Sequence, residues 1–171
     1  NLCGDAVYSL LADRGGNLWI GTYRAGVSQL SLKRNIFQML NRKNGSIPYD
    51  IVTAVVPAAG SIYMGLDGGG LCIYDRHSGT SRTLTTGNSN IAGNNVISMI
   101  KDGPNLWMAI YTRGLALYST QSGGFSLYTM PAGTIGNNNV WTLCDDGIGR
   151  IWAGGPDLFV FDKRTRKFAH T

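Results

Sequence analysis

Short apolar runs alternate with polar turns along the whole chain, and the alternation recurs at one interval. Apolar runs at 7–11, 52–56, 96–100 and 140–144 each precede an aromatic phrase. The phrases are Leu18-Trp19-Ile20-Gly21, Ile62-Tyr63-Met64-Gly65, Leu106-Trp107-Met108-Ala109 and Ile151-Trp152-Ala153-Gly154. Their central aromatic advances by 44, 44 and 45 residues. A glycine turn at Gly26, Gly70 or Gly114 then opens a third run at Val27, Leu71, Leu115 or Leu158, and the fourth unit drops two residues from that turn. Ten residues beyond those starts stand Phe37, Ser81, Phe125 and Phe168, which mark a fourth run.

Runs of this length, rich in Val, Ile, Leu, Thr, Tyr and Trp and bounded by Gly, Asn, Asp and Ser, are strand signals. No window carries the three-four apolar spacing of a helix. A period of this size belongs to arrays in which one unit cannot bury its apolar face without a neighbour on each side. The pattern therefore predicts an all-β chain of four β-propeller blades, each of four antiparallel strands, near 5–41, 50–86, 94–130 and 138–171. The first unit begins with its own first strand and the last ends with its own fourth, so no split blade is visible. The expected architecture is part of a larger propeller, whose outer two blades expose apolar faces and favour pairing with a second copy.

Composition supports this picture. The 171 residues include 24 glycines, and all ten acidic residues are Asp, which suits turns better than helices. Hairpin tips are expected at 13–17, 102–105 and 146–149. The chain is 43% hydrophobic, enough for a substantial core, and no stretch approaches the apolar length of a membrane span.

The phrase Asp13-Arg14-Gly15-Gly16-Asn17-Leu18-Trp19-Ile20-Gly21-Thr22, with Val7-Tyr8-Ser9-Leu10 before it and Gly26-Val27 after it, resembles the two-component regulator propeller repeat. The likeness recurs in all four units. It implies a ligand-sensing, extracytoplasmic and periplasmic segment whose parent chain continues through a membrane span to a histidine kinase, in bacteria that degrade glycans. Departures are Tyr63 for Trp and Pro57-Ala58 for Asp in unit two, Ala109 for Gly in unit three, and Gly155-Pro156-Asp157 in unit four. WD-type and kelch repeats fit less well, because Trp is followed here by Ile, Met or Ala and a multiple-glycine phrase occurs once, at Gly68-Gly69-Gly70.

Loops between blades and between second and third strands should share one face. That face receives Tyr23, Arg24, Asp67, Tyr111, Arg113 and Asp157, with the connections 41–50, 88–95 and 133–139. Aromatic faces can cover sugar carbon-hydrogen surfaces while Asp, Asn and Arg bond hydroxyls, so these six are the candidate ligand residues for an oligosaccharide. The runs Asn94-Asn95 and Asn137-Asn138-Asn139, with Asp5-Ala6 and Asp50-Ile51 as their counterparts ahead of the first strands of units one and two, read instead as backbone caps.

Catalytic patterns are thin. His77 and His170 are the two histidines, and Asp67 with Asp157 are the acidic pair on the candidate face. Hydrolase or lyase activity is thus a minor alternative, behind a protein-interaction scaffold, and no cofactor is implied. Cys3, Cys72 and Cys144 lack metal-site spacing, and the latter two read as buried thiols. The net charge of +5 gathers at Lys33, Arg34, Arg76, Lys163, Arg164, Arg166 and Lys167, on the opposite face. Without interleaved aromatics such a rim favours solubility over nucleic-acid binding.

Overall fold

The computed structural model describes residues 2–31, 36–130 and 138–170, and every regular element among them is a strand. The first sheet holds β1 (Val7–Ala12), β2 (Asn17–Thr22), β3 (Gly26–Ser31) and β4 (Ile36–Leu40). The second holds β5 (Val52–Pro57), β6 (Ser61–Leu66), β7 (Gly70–Asp75) and β8 (Ser81–Leu84). The third holds β9 (Val96–Asp102), β10 (Asn105–Ile110), β11 (Gly114–Ser119) and β12 (Phe125–Tyr128). The fourth holds β13 (Thr142–Asp145), β14 (Arg150–Gly154), β15 (Leu158–Asp162) and β16 (Lys167–His170). Each is an antiparallel meander in chain order, as the repeat predicts.

The sheets stack through their first strands, β1 on β5, β5 on β9 and β9 on β13. Because strand side chains alternate, every repeat column faces a fixed neighbour. The aromatic of one β2-type strand meets the aromatic of the next blade's third strand: Trp19 lies 6.3 Å from Tyr74, Tyr63 6.2 Å from Tyr118, and Trp107 5.2 Å from Phe161. These tilted and edge-on pairs add to the stabilisation from burial. The glycine two places beyond the aromatic allows the blades to close up, since a Cβ on Gly65 would stand 2.9 Å from the Val96 methyl of the next blade. A further column was not read from the sequence. Cys3, Ile47 and Ile91, each 44 residues apart, plug the space before a blade: Ile47 joins the core between blades one and two, Ile91 that between two and three, and Cys3 bonds Ser28 and Thr22.

The outward faces of the array lack that cover. Leu10, on β1, is 64% exposed, and Trp152 is half-buried where Trp19 and Trp107 are buried. The expectation of two buried thiols is half right. Cys72 is buried, but Cys144 is exposed. Cys144 pairs with Trp152 as Val56 pairs with Tyr63, so its side chain points towards the position of a following blade, and no described residue fills it.

At the end carrying the first hairpin tips, a polar latch joins successive blades. Asp13 accepts hydrogen bonds from Gly15 N, Asn17 N, Asn17 Nδ2 and Trp19 Nε1, and pairs at 3.2 Å with Arg76 of blade two. Asp102 likewise accepts from Trp107 Nε1 at 2.9 Å and pairs with Lys163 of blade four at 3.2 Å. Burial works to raise the Asp13 pKa. The bonds from Asn17 and Trp19 and the Arg76 charge outweigh it and hold the carboxyl at about 2. Between blades two and three the corresponding residues are Ala58, Tyr63 and Thr120. The departures at Pro57-Ala58 and Tyr63 are therefore one change: without an indole N–H and a facing cation, a carboxylate there would have no partner.

Candidate functional site

The β2–β3, β6–β7, β10–β11 and β14–β15 turns lie at the other end, beside the connections between blades. Those connections are tied down by short polar side chains, as expected of caps. Asp50, Asn94 and Asn138 each accept from the backbone N–H eight residues earlier, at Arg42, Thr86 and Met130. Asn44 and Asn88 repeat a second tie, donating to Met39 and Thr83 carbonyls. The connection residues 133–137 lie outside the described residues, as do Lys33 and Arg34.

Three of the turns use a left-handed residue at one position: Arg24 at φ 61°, Gly68 at φ 90° and Thr112 at φ 58°. Glycine takes this conformation freely, whereas a residue with a Cβ pays for it. Gly68-Gly69 has another reason, since the Tyr49 ring lies over both and a Cβ on Gly69 would stand 2.8 Å from it.

Of the six candidates, the structure brings Tyr23 and Arg24 into contact. The guanidinium lies 4.7 Å from the Tyr23 ring centre, and Tyr8 stacks on Tyr23 at 5.3 Å. Tyr8 is 63% exposed, so the three form an open aromatic and cationic platform. Tyr111 and Arg113 are exposed on the corresponding turn of blade three. Asp67 accepts from Asn95 Nδ2 at the start of blade three, and the two residues also form a β-bridge. Asp157 accepts the backbone N–H of Leu158 at 2.8 Å, while its carbonyl receives Gly155 N.

Sequence reasoning missed Tyr8, Tyr49 and Trp141, which are exposed aromatics at the same end. Tyr8 is the extra residue of a β-bulge between the pairs Val7–Thr22 and Ser9–Gly21, and Ile97 is its counterpart in blade three. A bulge breaks the alternation from which a facing direction is read, so an apolar run alone conceals such a residue. The repeated offset from Val7, Val52, Val96 and Val140 was the available signal.

At the latch end, Arg76 and Lys163 of the expected basic rim are engaged, the first with Asp13 and the second with Asp102 and Asp145. Two cavities of about 440 and 260 Å³ adjoin at this end, sharing Ala58, Ala59 and Lys101; the larger also borders the Asp13–Arg76 latch, and the smaller lies between blades two and three, where the latch is missing.

The fold is thus an arc of propeller blades. The family profile described as "Two component regulator propeller" matches residues 1–24. The extracellular domain assigned to hybrid two component system BT3049 of B. thetaiotaomicron superposes with a TM-score of 0.77 at 21% identity, covering 98% of this chain and 25% of that one. That of BT4673, from the same organism, gives 0.77 at 20% identity, covering 96% and 21%. The computationally designed protein Ika4 gives 0.66 at 12% identity, covering 95% of each chain. This chain therefore spans about a quarter of the length of the natural domains it resembles. No curated protein matches the sequence.

Proposed function

We propose that the chain is a ligand-sensing segment of an extracytoplasmic two-component receptor and that it reads an oligosaccharide. The profile match and the likeness to extracellular domains of such systems support the receptor setting. A periplasmic location and a kinase in the parent chain belong to the same proposal. The observation that carries the ligand class is the Tyr8–Tyr23–Arg24 platform. The exposed Tyr8 ring, backed by Tyr23, offers a sugar a flat apolar surface, and the guanidinium lying over Tyr23 offers hydrogen-bond donors for hydroxyls.

Arg24 also holds a backbone conformation that glycine would hold more easily, and strain kept at an exposed turn is commonly functional. A panel of neutral oligosaccharides read by calorimetry tests the assignment. Tyr23→Ala is expected to weaken the responding sugar by about tenfold, roughly the worth of one stacking contact. Arg24→Gly should weaken it too while raising stability by up to about 1 kcal/mol. Undiminished binding in both variants would move the site elsewhere.

A second reading, an interaction scaffold, is favoured by the uncovered faces at Leu10 and Trp152. In that case the panel stays silent and a protein partner protects those faces.

A further inference from the structure

Two adjoining cavities lie at the latch end, the larger lined from the tips of blades one, two and three and the smaller from blades two and three, where the latch residues are lost. Between blades one and two, Asp13, Trp19 and Arg76 fill the junction, and between blades three and four Asp102, Trp107 and Lys163 do so. Between blades two and three the same positions hold Ala58, Tyr63 and Thr120, which are smaller or lack the charge. Ala58 and Tyr63 accordingly line the opening rather than closing it, and Thr120 turns its hydroxyl to the Pro104 carbonyl.

The solvent-facing charge around this opening has one sign. Arg14, Arg76 and Lys101 line the larger cavity, over a floor of Pro57, Ala58 and Ala59. Asp13 is the single carboxylate of the lining, and it is almost wholly enclosed, with Trp19, Asn17 and Arg76 all directed at it. The smaller cavity has no acidic lining residue. Asp102, next to Lys101, is turned instead to Trp107 and Lys163. Lys101 and Arg14 have no carboxylate partner among the described residues. Lys101 is also the only cation at its repeat position, where the other blades carry Ala12, Pro57 and Asp145.

An opening of this size is large enough for a small ligand. Its accessible charges are cations spread along a strip, and a strip of one sign attracts the opposite sign. The apolar floor gives the body of a ligand somewhere to rest while its charged groups meet Lys101 and the two arginines. We propose that this cleft binds a small polyanion bearing two or more carboxylate or sulfate groups, at the end of the blades opposite the Tyr8–Tyr23 platform. Recognition is by charge-assisted hydrogen bonds from Arg14, Lys101 and the exposed part of Arg76.

The test is calorimetric titration of this chain with trigalacturonate, a sulfated disaccharide, neutral maltotriose and inorganic sulfate, at two ionic strengths. Trigalacturonate or the sulfated disaccharide should bind, and the tighter of the two identifies the preferred oxyanion. The affinity should fall as salt rises. Lys101→Ala should weaken it by about tenfold. Ala58→Asp, which sets a carboxylate in the lining the two cavities share, should abolish binding, and Lys101→Ala keeps the test open where that carboxylate, lacking an indole N–H and a facing cation, costs stability. Tyr23→Ala should leave it unchanged, which separates this cleft from the sugar platform. Equal binding of maltotriose in Tyr23→Ala, sulfate alone binding as tightly as the polyanion, full affinity in Lys101→Ala, or no saturation by either polyanion would each overturn the proposal.

Discussion

Asp13 shows how much one buried carboxylate organises. It closes its own hairpin tip, receives the indole of its own blade and meets a cation from the next. Removing it in Asp13→Ala would leave the indole N–H and part of Arg76 without a partner. The expected cost is about 2 kcal/mol in urea unfolding, kept modest because Arg76 reaches solvent. Its pKa is depressed in the folded chain, so its contribution is complete above the ordinary carboxylate value of 3.8 and is lost as pH falls towards about 2. Asp146, which makes the same tip bonds to Ile148 and Arg150, is also held at about 2. The urea midpoint should therefore fall between pH 4 and pH 2, and by less in Asp13→Ala. An equal fall in both chains would assign the acid sensitivity to other carboxylates.

The strands were legible because each run is short, apolar and framed by turn residues. Phase was legible only where the alternation is unbroken. Cys144 illustrates this: its column was readable as apolar, but whether a neighbour covers it depends on the number of blades, which no local pattern carries. Tyr8 illustrates the other limit, since a bulge reverses direction without leaving a mark in composition. The third-strand glycines were read as turns, and the structure adds a steric reason. Gly70 has φ 78°, and a Cβ there would meet the Leu84 carbonyl oxygen at 2.2 Å. Gly60 has φ 75° and open space around it. Gly70→Ala should thus cost at least about 2 kcal/mol and Gly60→Ala about 1 kcal/mol, by thermal or urea unfolding. Equal losses would mean that the backbone conformation, not the fit between strands, sets the penalty.

Among the described residues, the apolar cores of the three inner interfaces are packed and the two outward faces are not covered. Burial pushes the Cys72 thiol up and hides it, whereas Cys144 stands open beside Trp152, over which Arg150 lies at 5.8 Å. Brief alkylation followed by mass analysis should find Cys144 modified well before Cys72. If copies pair through the outward faces, the Cys144 reaction should slow as protein concentration rises, in step with the mass seen by light scattering. A rate independent of concentration, with dimers present, would place the contact elsewhere. The sequence indicated that such faces exist, because the repeat needs a neighbour on each side. The platform and the cleft were less legible, since both depend on which residues from different strands and blades come together.

The coupled change at Ala58, Tyr63 and Thr120 bears on how such an array can be inherited. Blades two and three each carry half of one lock, blade two matched to the sheet before it through Arg76 and blade three to the sheet after it through Asp102. Blade two offers a cation backwards and nothing forwards; blade three accepts nothing and offers a carboxylate. Transposing these two would set Asp102 against a blade with Arg76 but leave Asp13 facing Thr120. The repeats are therefore not interchangeable parts, and genetic duplication or shuffling of a single one would break a match at its boundary. Recombination should preserve runs of consecutive repeats more readily than isolated ones.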